Sequence, residues 1–263
     1  MGSATREALA ASKRSLDALG SIDLGTATSL LEAGRLIGET AQLRAMLADP
    51  SGESGQKAAI VERVFGSALN ATALGLLKDA VQHRWSTQDE MLGGIEEIGL
   101  RAVAKSAEDV DVDVELFSFA RVVASDAGLE LALGSKLGDS RSKAGLVDRL
   151  LSGKASPQAV AIVSHLVQQP RGRRIGELLR FAASVVADQL GFSVATVTSA
   201  TPLSEAQIER LASGLARLYG RSLKINQVTD PSIVGGLRVQ VADDVFDGSI
   251  ATRLAELRLQ LAG

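Results

Sequence analysis

Two stretches of this chain are copies of one another, and no other feature restricts its folding as strongly. Shifting the 263-residue sequence over itself by 86 positions gives an ungapped match, with 13 of the 60 positions from Leu36 to Ile95 identical. Composition alone gives about five such coincidences, so the match is a duplication. Gly52-Glu53-Ser54 falls on Gly138-Asp139-Ser140, and the run from Lys57 to Val64 falls on the run from Lys143 to Leu150. Most other pairs exchange like for like, as Leu76 with Ile162 and Leu77 with Val163. The same apolar pattern must therefore be buried twice.

That pattern is helical. Leu36, Leu43 and Leu47 keep helical spacing and stop at the turn cluster Asp49-Pro50-Ser51-Gly52. A second helix carries Ile60, Val61 and Val64, a third Leu74, Leu77 and Val81, and a fourth Leu92, Ile95 and Ile98. Amphipathic stripes of this kind satisfy one another in a bundle. The composition agrees: eight aromatics and five prolines leave a core of Leu, Ala, Val and Ile in long stretches free to be helical. The first repeat opens with an extra helix from Arg6 to Leu19 bearing Leu9, Leu16 and Leu19, for which the second has no room. Glu108 to Glu115 alternates as a strand does, but Val112, Leu116, Phe119 and Val123 keep 4-3-4 spacing, and helix is the favoured reading. No Gly or Pro lies between Gly99 and Gly128, so one long helix joining the repeats is an open alternative.

After Gly191 the pattern changes. Phe192 to Ser199 is a β-branched strand. Ser204 and Gln207 stand at capping-box spacing ahead of a helix with the stripe Ile208, Leu211, Leu215 and Leu218, ended by Gly220. Leu223 to Val228 is a second strand, and Leu237, Val239 and Val241 mark a third after Gly235-Gly236. Asp247-Gly248-Ser249 reads as a turn and N-cap before a last helix with Ile250, Leu254, Leu257 and Leu261. The expected architecture is mainly α: two tandem helical-bundle repeats, 1–105 and 106–191, followed by a small α+β domain, 192–263.

The reactive inventory is thin. With no cysteine there is no thiolate chemistry and no Cys-based metal site. His83 and His165 are the only histidines, too few for a multi-histidine site, and no cofactor loop is present. Gly52 to Lys57 hints at a phosphate loop, but its spacing fails and it recurs at Gly138 to Lys143, so both read as helix-joining turns. His165 reads as a structural histidine and His83 as exposed near a helix end. Trp85 either anchors a partner or folds onto its own bundle.

Two charge features stand out. Glu108 to Glu130 is acidic, and Pro170-Arg171-Gly172-Arg173-Arg174 is a dense basic cluster. The cluster suits an acidic partner, a phosphate or a solvated loop. A net charge of −3 and the lack of interleaved aromatics argue against nucleic acid. The N-terminus has no apolar signal core, and Arg6 breaks the myristoylation pattern. Leu178 to Val197 is interrupted by Arg180, Asp188 and Gln189, too polar to span a bilayer. The expectation is a soluble protein whose tie to a membrane runs through a partner, with no direct membrane insertion.

The block Ile233 to Ile250, containing Gly235, Gly236, Asp247, Gly248 and Ser249 and followed by Arg253, Leu254 and Leu257, closely resembles the C-terminal signature of the ATP synthase δ subunit family, also called the oligomycin-sensitivity-conferring protein family. Ala242 departs from it, standing where the family usually has Gly. The resemblance extends to the helical part and favours the long form of high-GC Gram-positive bacteria. It implies a non-catalytic, cofactor-free stator subunit, peripheral on the cytoplasmic face of the cell membrane. Such a subunit binds the N-terminal helices of α subunits and the distal end of subunit b, the peripheral stalk, and resists rotor torque. The family's α-binding groove lies between the first and fifth bundle helices, which points to Leu9, Leu16, Leu74, Leu77 and Val81; the signature residues mark the stalk-binding region. A helical-repeat adaptor of another complex is the competing reading.

Overall fold

The computed structural model describes residues 2–107, 110–135, 138–220, 222–231, 233, 235–241 and 244–248. The first eleven elements are helices: α1 (Ser3–Asp17), α2 (Leu24–Glu39), α3 (Ala41–Ala48), α4 (Ser54–Phe65), α5 (Ala71–Gln82), α6 (Gln88–Lys105), α7 (Val112–Ser125), α8 (Ala127–Gly134), α9 (Ser140–Leu151), α10 (Pro157–Gln168) and α11 (Ile175–Gln189). Then follow β1 (Ser193–Ser199), α12 (Glu205–Tyr219), β2 (Leu223–Thr229), β3 (Leu237–Val241) and β4 (Asp244–Asp247). The chain forms two compact units, Met1–Val186 and Ala187–Gly263.

In the helical unit the 86-residue shift carries α3, α4 and α5 onto α8, α9 and α10 with identical bounds. The same shift carries α1 onto 89–103, inside α6. Thus α6 closes the first repeat and also stands where the second repeat would have its first helix. It packs against α1, α2 and α5 and also against α10. A helix with neighbours on all sides has no solvent face to spend on polar residues. Accordingly, every residue from Met91 to Ala104 except Gly93 is buried, although Glu96, Glu97 and Arg101 are among them.

Several expectations need correction. Leu36 and Leu43 do not share one helix: Thr40 is extended (φ −103°, ψ 94°), breaking the chain between α2 and α3. Asp126 breaks α7 from α8 at the equivalent place (φ −130°, ψ 98°) and caps α8 by accepting from the Leu129 N–H. Neither break carries Gly or Pro; a residue type common at N-caps stands at each, though only the Asp126 side chain makes the capping bond. Leu36 and Val64 are exposed: α2 turns Ala33, Gly34 and Ile37 inward instead of Leu36, and the buried side of α4 is Lys57, Val61 and Phe65. No long helix joins the repeats, since α6 ends at Lys105 and α7 starts at Val112. The stripe Val112, Leu116, Phe119 and Val123 is buried as its spacing requires.

The second unit has a four-stranded sheet of order β2-β1-β3-β4. β1 and β2 are parallel, joined through α12, while β3 and β4 are antiparallel to their neighbours. α12 starts with the expected capping box at Ser204 and Gln207 and ends at Gly220 (φ 68°). Ala195, Val197, Leu215, Leu223, Val239 and Val241 form the core, with Leu211 and Tyr219 packed against it. Leu218, placed on the α12 stripe by its spacing, is instead exposed. β4 was not expected from the sequence: its four residues are all exposed, so no alternation marks it. Asp247 is the last residue of that strand rather than the start of a turn. The expected final helix, with Ile250, Leu254, Leu257 and Leu261, lies outside the described residues, as do Ala242, Ser249 and Arg253.

Candidate interaction surfaces

α1 and α5 pack together in the first repeat. Leu16, Leu77 and Val81 are fully buried, Leu9 nearly so, and Leu74 half-buried. Leu9, Leu16, Leu77 and Val81 thus pack within the bundle, and Leu74 is partly open to solvent. What remains beside them is a small-residue rim, with Ala4, Ala11 and Ser15 half-buried on α1. Ser15 donates to Asp79 Oδ1 at 3.0 Å, fixing α1 against α5 at one end.

The signature glycines have a conformational reason. Gly235 (φ 69°) and Gly236 (φ 84°) sit in the left-handed region and turn the chain into β3. The Gly248 N–H donates to the Leu237 carbonyl at 2.9 Å, and Asp247 pairs with Arg238 across the ladder, so the Asp-Gly step ties the end of β4 to the start of β3. Of the remaining signature residues, Ser249, Arg253, Leu254 and Leu257 lie outside the described residues.

The basic cluster turns inward. Arg171 Nη2 lies 2.7 Å from Glu96 Oε2, and Arg173 Nη2 donates to Glu96 Oε1 at 2.8 Å. His165, on α10, comes within 3.7 Å of the same carboxylate. Burial pushes the Glu96 carboxyl up, but the His165 contact and then the charges of Arg171 and Arg173 outweigh it and pull the group down to about 2. Arg171 reaches this position from a left-handed backbone (φ 49°), a strained conformation for a non-glycine residue. The next residue, Glu97, pairs with Arg101 one turn further along α6 at 2.9 Å and with Lys13 of α1 at 3.0 Å. The adjacent pair Glu96-Glu97 in an otherwise apolar helix was the sequence signal for this network, and it was missed.

The acidic stretch is also used internally. Glu115 accepts from the Ser156 N–H (3.0 Å) and hydroxyl (2.5 Å) at the start of α10. Glu130 accepts from the Ile175 and Gly176 N–H groups (2.6 and 3.1 Å), capping α11. The repeated Gly-to-Lys segments are helix-joining turns. Lys57 and Lys143 are buried and fold back over Gly52 and Gly138, and Lys143 donates to the Ser135 carbonyl at the end of α8. Trp85 is buried, its ring against Gly94 and its indole N–H on the Ala80 carbonyl at 2.8 Å, so it serves its own bundle. His83 is half-buried, 3.3 Å from Asp79. Among the described residues no group of three His, Asp or Glu could hold a metal ion, and no helix is long and apolar enough to cross a membrane.

Helix-packing faces, a small sheet unit and charges spent on internal ties define a helical scaffold subunit. The comparisons specify which. The family described as ATP synthase delta (OSCP) subunit matches residues 100–261, beginning within α6 and running through the second repeat and the sheet unit. The ATP synthase subunit delta of Leifsonia xyli subsp. xyli is 55% identical over 265 residues, covering 100% of each chain. That of Streptomyces griseus subsp. griseus is 38% identical over 271 residues with 100% of both covered, and that of Kineococcus radiotolerans 41% over 245 residues, 92% of this chain and 87% of its own. A looser likeness, TM-score 0.43 at 19% identity over 64% of this chain and 96% of the other, is to a chain of the Toxoplasma gondii mitochondrial ATP synthase hexamer. The chain belongs to the ATP synthase delta (OSCP) subunit family: it is a non-catalytic peripheral-stalk, or stator, subunit of the F-type ATP synthase.

Proposed function

We propose that the chain joins the catalytic head to subunit b by two grips on separate parts. The first repeat, 1–105, takes the N-terminal helix of an α subunit along the α1–α5 rim. The sheet unit, 192–263, takes the distal end of b on the cytoplasmic face of the membrane. The second repeat, 106–191, braces the connection. The observation that carries this reading is the 55% identity to a subunit delta over its whole length. The physical support is that a partner helix needs an apolar, close-approach seat, which the Ala4, Ala11 and Ser15 rim offers beside half-buried Leu74. Many apolar contacts spread over two grips resist torque without a titrating group.

Ala11→Trp fills that rim and leaves the buried stripe in place. Titration of the full chain with a synthetic α-subunit N-terminal peptide tests it. Binding should weaken by about ten-fold or more while helical content is kept. Unchanged peptide affinity in Ala11→Trp excludes the α1–α5 seat.

A further inference from the structure

The duplication singles out one segment. Nine of the 13 identities between the repeats fall between Ala41 and Arg63, the α3–α4 hairpin and its twin α8–α9. Folding accounts for several: Leu47 and Leu133 are buried, as are Val61 and Val147 and the two turn lysines. Arg63 and Arg149 stand in the last turns of α4 and α9, where a cation suits the helix C-terminus but no particular basic residue is required. Both are exposed on the outer face of their helix. Neither makes an ion pair or side-chain hydrogen bond among the described residues.

Arg63 borders a groove of about 580 Å³ between α3 and α4. Its apolar lining is Leu43, Met46, Ala59, Ile60 and Val64, and Arg63 is the one charged residue among the described lining. Met46 is 53% and Val64 48% exposed, and Leu36, 46% exposed, lies just before the hairpin. The second repeat keeps part of this chemistry: Leu129, Leu146 and Leu150, part-exposed, stand for Leu43, Ile60 and Val64, while Ala132 and Gly145 replace Met46 and Ala59. Leu36 and its counterpart Val122, 46% and 52% exposed, are the matched pair left in water, and together with Met46 and Val64 they mark a contact surface beside α3–α4.

We infer that the α3–α4 groove docks an amphipathic helix carrying a carboxylate beside its apolar stripe, and that α8–α9, with Arg149 kept and less apolar lining, is a second and weaker seat. Charge complementarity selects this occupant. An unpaired guanidinium at the edge of an apolar groove favours a helix with an acid at that register and disfavours one with a base. The seat lies on helices other than α1 and α5 and stands independently of the α1–α5 reading.

The absence of cysteine allows a single fluorescent label at each rim, on Gln56→Cys or on its counterpart Ser142→Cys, in the full chain. The probes are two synthetic helices of about 18 residues with the same leucine stripe, flanked by Glu in one and by Lys in the other. The Glu helix should saturate the signal at both labels. Arg63→Glu should weaken it about ten-fold or more at Gln56→Cys only, and should reverse the preference toward the Lys helix. Arg149→Glu should do the same at Ser142→Cys only, and Arg63→Gln should give an intermediate loss without reversal. No saturation, equal binding of the two helices, or indifference to Arg63→Glu with Trp85 emission unchanged overturns the inference.

Discussion

Glu96 shows how little of a buried network a linear pattern reveals. Apart from Glu97 its near neighbours along the chain are apolar, and its partners Arg171, Arg173 and His165 come from the far repeat. A dense basic loop reads as an open surface until the carboxylate that neutralises it is located. The acid dependence of stability follows directly. The folded-state pKa of about 2 lies below the ordinary 4.5, so the stabilisation is complete above about pH 4.5 and disappears as pH falls through 2. Glu96→Gln also leaves the arginines without their counter-charge, and should cost about 2–4 kcal/mol near neutral pH. In urea unfolding, the gap between Glu96→Gln and the parent should shrink by about half or more at pH 3. A gap that is the same at pH 3 and pH 7 would show that the carboxylate is not held ionised by these partners. Other residues were legible in kind but not in place. Leu9, Leu16, Leu77 and Val81 stand on helical stripes and are buried, and periodicity alone cannot say whether such a side chain faces a partner or its own core.

Among the elements, α6 carries the most consequence. Spacing identified it as a helix, and its all-round burial was not visible because Gly93, Gly94, Glu96 and Glu97 dilute the stripe. Gly94 is there for contact: a Cβ at that position would lie 2.0 Å from the Trp85 ring, whereas one at Gly93 would meet nothing within 4 Å. Ala is the better helix former by about 1 kcal/mol, so helix propensity alone favours both substitutions. Gly93→Ala should be neutral or stabilise by up to about 1 kcal/mol, and Gly94→Ala should destabilise by about 1–3 kcal/mol through overpacking. Thermal unfolding and the emission of Trp85, the only tryptophan, report both. Equal midpoints for the two variants would mean that the Trp85–Gly94 contact does not hold α6. The strands divide in the same way. β3 was legible because Leu237, Val239 and Val241 alternate over a core, and β4 was not, because its pairing to β3 is through backbone and none of its side chains is buried.

For the molecule as a whole, the duplication was legible at single-residue register, and the fold explains it. α3–α5 and α8–α10 share their bounds, and α6 supplies the helix that the second repeat lacks. The sharing makes one helical unit of two copies, with Lys13, Glu97, Glu96 and Arg173 tying α1, α6 and the far repeat in series. A stator linker needs that continuity, since load entering at one end must leave at the other without slipping between domains. The central claim is that this chain bridges the head and the stalk through separate surfaces at the same time. Sedimentation of the full chain with the catalytic head and the soluble part of b tests it most directly, compared with a chain ending at Gly191. One ternary complex is expected for the full chain, with head binding kept and b binding lost in the shortened chain. Competition between the head and b for the full chain, or b binding retained without 192–263, would contradict it.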